Sequence, residues 1–121
     1  MRVIKTAEVS RKQSTHPIFT GGNVSFQPLI TKEMGKNFNI ITVYFSQGAR
    51  TKLHVHTSDQ ALMVTGGMGI VGTGGEETVV RTGDLILIPA GEKHWHGATE
   101  NSEFSHISVL TADSQETILE N

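Results

Sequence analysis

The sequence predicts an all-β sandwich or barrel, and three observations carry that prediction. Short runs rich in Val, Ile, Thr and aromatic residues alternate with turn signals. Glycine is abundant, at 13 residues. Helical periodicity is nearly absent before the C-terminus.

Taken in order, the β-capable segments begin with Val3–Lys5 and Val24–Leu29, which precede the main run of strands and need an edge or a partner to pair with. Asn39–Phe45 is an almost unbroken β-branched and aromatic run. Lys52–His56 follows, then Gln60–Thr65 after the turn-like Thr57-Ser58-Asp59, then Met68–Gly72. The stretch Gly72-Thr73-Gly74-Gly75 reads as a hairpin turn into Glu77–Arg81, with glycine supplying positive φ. It is no phosphate loop, because no Lys-Ser/Thr follows it and no helix opens after it. Leu85–Ile88, His94–Ala98 and the long Phe104–Leu110 complete the set. The tail from Asp113 to Asn121 is expected to form one helical turn or to fray.

With 121 residues, 36% hydrophobic and 18% charged, the chain reads as a single globular domain over 1–121, with its core at about 39–110. A net charge of −2 and a pI near 6.3 provide no basic footprint for nucleic acid and no polybasic patch for a membrane. No apolar run reaches the roughly 18 residues of a transmembrane helix, and the N-terminus lacks the apolar stretch of a signal peptide. Cysteine is absent, which removes disulfides, thiolate ligands and a cysteine nucleophile. A cytoplasmic protein is the expectation.

Chemistry concentrates in the histidines, five of the 6 lying between residues 54 and 106. His54 and His56 are two apart on one strand, so both imidazoles leave the same face, with Cα atoms about 6.5–7 Å apart. Gln60 opens the next strand and can fold back beside them. His94 and His96 repeat the same-face pairing, and His106 sits mid-strand. Three imidazoles converging inside a barrel would repel one another if protonated, so His54, His56 and His94 are read as ligands of one divalent ion. His16 lies apart and is read as a solvated or hydrogen-bonded side chain.

Two linked motifs carry a family resemblance. Gly48-x5-His54-x-His56-x3-Gln60-x5-Gly66 resembles the first cupin motif, and Gly83-x5-Pro89-x-Gly91-x2-His94 resembles the second. The resemblance implies a double-stranded antiparallel β-barrel, jelly-roll-like, with the metal inside it, and commonly a homodimer. Cupins usually carry Glu where this chain has Gln60, whose amide oxygen remains a competent ligand; the alternative is a three-histidine site with Gln60 only hydrogen-bonded. A neutral amide leaves the ion's charge uncompensated and favours anionic or oxygen-rich ligands.

Residues 91–98 (Gly91-Glu92-Lys93-His94-Trp95-His96-Gly97-Ala98), with Gln60 and His106, are most similar to small bacterial cupins associated with carboxymuconolactone decarboxylases, including manganese-dependent hydroxynitrile lyases. That similarity implies the ligand set His54, His56, Gln60 and His94, further pocket histidines His96 and His106, and pocket walls at Ile41, Val43 and Leu110. Leu110 stands where those lyases carry a polar residue. One divalent transition metal per chain is implied, manganese first, with Fe, Ni, Zn, Cu and Co also admitted by the donors.

Four protein donors on a six-coordinate ion leave two positions for a small-molecule substrate, and His96 or His106 would be its general base. The reading is Lewis-acid and histidine chemistry on a small carbonyl or hydroxy compound, in the manner of a hydroxynitrile lyase. An Fe or Ni dioxygenase and a non-catalytic small-ligand or metal sensor use the same donors. By strand alternation Trp95 packs outward. Asp59 and Glu92 are expected in solvent, as are Arg50 and Lys52 near the barrel mouth.

Overall fold

The computed structural model describes residues 1–121 as an all-β protein in which every strand pairing is antiparallel. The strands are β1 (Lys12–Gln13), β2 (Phe19–Thr20), β3 (Val24–Ile30), β4 (Phe38–Phe45), β5 (Arg50–Thr51) and β6 (His54–His56). They continue with β7 (Gln60–Gly72), β8 (Glu77–Arg81), β9 (Leu85–Ile88), β10 (Trp95–Ala98), β11 (Phe104–Thr111) and β12 (Glu116–Ile118). A 10-stranded sheet runs β1-β3-β4-β11-β7-β10-β5-β2, with β8 and β9 also paired to β7. The remaining strands, β6 and β12, form a 2-stranded sheet. No helix is long and apolar enough to cross a membrane.

β7 curls the sheet into a barrel. Its first half pairs with β11 and β9, and its second half with β10 and β8. The segments expected as separate strands, Gln60–Thr65 and Met68–Gly72, are therefore one strand of 13 residues. Gly66-Gly67 bends it without stopping it. The register with β11 shifts between Ser105 and His106 at that point, and Gly67 takes φ +70. A Cβ on Gly67 would overlap the Glu103 carbonyl, so the crossing admits only glycine.

Alternation along the strands sets the interior. Val43 and Phe45 of β4, Val64 and Val71 of β7, and Phe104 of β11 close one end of the barrel with Val24, Ala49, Val80 and Ala98. Phe45 is the floor beneath the histidines, its ring centroid 6.0 Å from that of His96 and 5.4 Å from that of His106.

Several local expectations are corrected. Val3–Lys5 forms no strand, because the outer edge of β3 is taken by β1. Val24–Ile30 pairs within the sheet, on β4, and needs no second chain. Of the segment Lys52–His56 only His54–His56 is strand (β6), separated from β5 by Lys52 and Leu53, where the Lys52 carbonyl is taken by His54 Nδ1 instead of a ladder amide. The tail is neither helix nor frayed: β12 lies along β6, pairing Glu116 with His56 and Ile118 with His54. Gly72–Gly75 does join β7 to β8 as a hairpin, but neither Gly74 nor Gly75 has positive φ.

Candidate metal centre

The centre is assembled at the junction of the two motifs. His54 and His94 form an isolated antiparallel bridge and exchange both backbone hydrogen bonds, at 2.9 and 3.0 Å. Next to it, the Gly91 N–H donates to the His56 carbonyl at 3.0 Å, and the Ala90 N–H donates to Asp59 Oδ1 at 2.9 Å. The two turn segments are thus zipped together. Asp59, expected only as a solvated turn residue, is exposed but is one of the fasteners.

His54, His56 and His94 are all buried, and their candidate ligand atoms lie within 4.8 Å of one another. Ring centroids are 4.8 Å apart for His54–His56, 4.2 Å for His54–His94 and 5.3 Å for His56–His94. Gln60 enters from the start of β7, with Oε1 3.2 Å from His94 Nε2. Its Nε2 donates to Ser108 Oγ at 2.9 Å, which turns the amide oxygen toward the histidines.

Protonation follows from these contacts. His54 Nδ1 is 2.7 Å from the Lys52 carbonyl and His94 Nδ1 is 2.8 Å from the Glu92 carbonyl. A carbonyl only accepts, so each Nδ1 carries the proton and each Nε2 is a lone pair. Burial, with the His94 ring second, pushes His54 down to about 4, and burial also lowers His94. Both are neutral near pH 7. The His94 lone pair and the Gln60 carbonyl oxygen then face one another at 3.2 Å with no proton between them. Two acceptors at that distance repel unless a cation lies among them, so these residues fit a divalent ion. The buried His56 Nδ1, which has no hydrogen-bond partner, is a further nitrogen in the same cluster.

A second imidazole pair flanks the first group. His96 stacks 5.8 Å from His94, and its Nδ1 is 3.0 Å from His106 Nε2. Burial is the main reason both are held low. His96 lies well below the usual histidine range, lowered further by the neighbouring rings, and His106 is pushed down to about 3. One proton is therefore shared along a short neutral pair.

A cavity of about 230 Å³ opens onto both groups. Ile41, Val43 and Leu110 line it, together with Phe19, Phe26 and Ile18. Trp95 lies on the other side of its strand, beneath the Arg50 guanidinium at 4.7 Å. Arg50 and Lys52 are corrected from the expectation of solvent: both are half-buried, and Arg50 Nη2 bonds the Glu120 carboxylate at 2.8 and 2.9 Å.

Residues 41–110 match the family model described as Cupin domain. The chain is a cupin. Its relative (R)-mandelonitrile lyase from Granulicella tundricola is 39% identical over 69 residues, 56% of this cupin and 53% of that protein. The cupin thus spans about half the length of that curated relative. A cupin-like protein from Thermotoga maritima is 34% identical and superposes with a TM-score of 0.84 over 90% of this cupin and 84% of that chain. The polyketide cyclase RemF from Streptomyces resistomycificus shares the fold at 18% identity, with a TM-score of 0.87 over 100% of this cupin and 87% of that chain.

Three residues at this cupin's site were not found from sequence. Ser108 was within reach, since it lies two positions from His106 on the same strand and shares its inward face. His16, read as a solvated or hydrogen-bonded side chain, is hydrogen-bonded, its Nδ1 accepting from the Ile18 N–H at 3.1 Å, and it also lines the cavity. Glu116 is brought there by β12, and its Oε2 is 3.0 Å from His16 Nε2. Burial pushes its carboxyl up, but the His56 ring and the neighbouring His16 and His54 outweigh this and hold it below the usual carboxylate range.

Proposed function

We propose that this cupin is a divalent-metal-dependent lyase acting on a small hydroxy compound, cleaving a cyanohydrin reversibly into a carbonyl compound and hydrogen cyanide. The observation that carries the reading is the convergence of the His54 and His94 lone pairs and the Gln60 oxygen beside the buried His96–His106 pair. The (R)-mandelonitrile lyase among its relatives supports the same chemistry.

His54, His56 and His94 would hold the ion, with Gln60 as fourth ligand and manganese as the proposed metal. When bound, it supplies Lewis-acid polarisation of the substrate oxygen. The remaining work falls to the chain. His96, neutral and next to the cluster, takes the hydroxyl proton as general base, and its Nδ1 shares the added charge with His106 Nε2 at 3.0 Å. The C–C bond breaks, its electron pair leaves with cyanide, the carbonyl forms, and the histidine pair returns the proton to the leaving group. Ile41, Val43 and Leu110 hold the substrate's apolar part and keep competing water away. A cavity of about 150 Å³ admits benzene, so about 230 Å³ suits an aryl ring bearing a few further atoms.

The test begins with elemental analysis of untagged protein purified without added metal, followed by benzaldehyde release from mandelonitrile by the Mn(II)-loaded protein. We expect stoichiometric metal and measurable cleavage. His96→Ala and His106→Ala are expected to keep the metal and lose the cleavage. Loss of metal from both variants would make these histidines ligands, and a protein that takes up no metal on reconstitution would sink the reading.

A further inference from the structure

We propose that Glu116 supplies the negative charge of the metal centre and thereby makes the cavity select neutral over anionic ligands. The inference rests on the reading of His54, His56, His94 and Gln60 as the ligands of a divalent ion. Those four donors are all neutral, so the protein must place an anion nearby or leave the ion's full charge in a partly desolvated cavity.

Glu116 is the carboxylate in position to do this. β12 lies antiparallel to β6 with Glu116 directly opposite His56, and residues opposed in this way project from the same face. The side chain therefore enters the cavity beside a ligand. Its Oε1 is 3.6 Å from His56 Nε2 and its Oε2 is 3.0 Å from His16 Nε2. His16 is itself fixed, through the Ile18 N–H at 3.1 Å, so the carboxylate is aimed from both sides. It is the one acidic side chain lining the cavity.

The pattern of ligand support agrees. His54 and His94 each have a backbone carbonyl on the ring nitrogen turned away from the cluster, at 2.7 and 2.8 Å. His56 has no such carbonyl: its partnerless Nδ1 belongs to the cluster, and its other nitrogen, Nε2, is the one that faces Glu116. Glu116 is the anionic group beside that third ring, 3.6 Å from its Nε2, beyond a hydrogen bond but close enough for its charge to raise the ring's basicity. Lying at the mouth, it also repels an incoming carboxylate or other anion while admitting an uncharged cyanohydrin. It acts through His56 and through its field, and so is a positioning residue.

The test measures Mn²⁺ affinity of the full chain by competition with a colorimetric chelator, and azide affinity of the Mn²⁺-loaded protein by electron paramagnetic resonance. Glu116→Gln keeps the shape and removes the charge; Glu116→Thr, a good strand former, takes its place if the glutamine variant does not fold. We expect Mn²⁺ affinity to fall about 10- to 100-fold and azide affinity to rise. Adding Gln60→Glu, which moves the missing charge into the ligand set, should restore Mn²⁺ affinity, and by more than the same change raises it when Glu116 is present. Wild-type Mn²⁺ affinity in the charge-deleted variant overturns the role of Glu116 while leaving the metal site standing. Failure of the wild-type protein itself to bind Mn²⁺ overturns both.

Discussion

Four buried imidazoles, those of His54, His94, His96 and His106, are held neutral mainly by desolvation, and this couples the site to stability. Their folded pKa values lie below the unfolded value, so between the two the unfolded chain binds more protons and stability rises with pH. The contribution is fully present above pH 6.5 and is lost as pH falls through the folded values, about 4 for His54 and about 3 for His106. We expect the melting temperature of metal-free protein to be level above neutrality and to fall steadily between pH 6.5 and 4, read by calorimetry. A melting temperature unchanged over that window would mean the four rings are not desolvated as described. The pairs His54/His56 and His94/His96 were legible from spacing because a period of two puts both members of a His-x-His pair on one face, and the second cupin motif singled out His94. Glu116 and His16 were not, because no local rule brings residue 116 opposite residue 56.

Strand β7 carries the architecture, since its bend at Gly66-Gly67 lets one strand serve both walls of the barrel. Gly67→Ala would introduce a side chain at φ +70 and drive a methyl into the Glu103 carbonyl. Strain of that kind costs about 1–3 kcal/mol before the clash is added. We expect a cooperative urea unfolding transition whose free energy of unfolding is lowered by at least that much, whereas Gly75→Ala, in open space and without positive φ, should change it little. The contrast explains why two adjacent glycines were misread as a strand break. Glycine signals conformational freedom, but whether that freedom is spent on a turn or on a bulge depends on the partner strand.

Across the whole molecule, the outward face of β9 is unusually apolar: Leu85 and Leu87 are 66% and 68% exposed, and Met63, paired to Leu85, is 42% exposed. Contiguous exposed apolar side chains mark an association surface. We expect the protein to sediment as a homodimer and Leu87→Lys to shift it toward the monomer in analytical ultracentrifugation, with the metal site intact. A wild-type monomer at all concentrations would show that this face serves another purpose. The dimer expectation came from the family resemblance, with unpaired N-terminal strands as added support; that added support is gone, since β3 is paired on both sides within the chain.

The sequence by itself determined the all-β class, most strand positions within the motif-bearing region, and the three-histidine cluster. Each of these depends on short periods and turn chemistry, which act between near neighbours. Only the tertiary structure decided that the tail is a strand on β6, that Arg50 is tied to Glu120, and that an acidic side chain stands at the cavity mouth. Those are contacts between residues some 60 to 70 positions apart, such as Glu116 with His56 and Arg50 with Glu120. Their formation depends on which sheet edge is left open once the barrel has closed, and that is a property of the assembled fold.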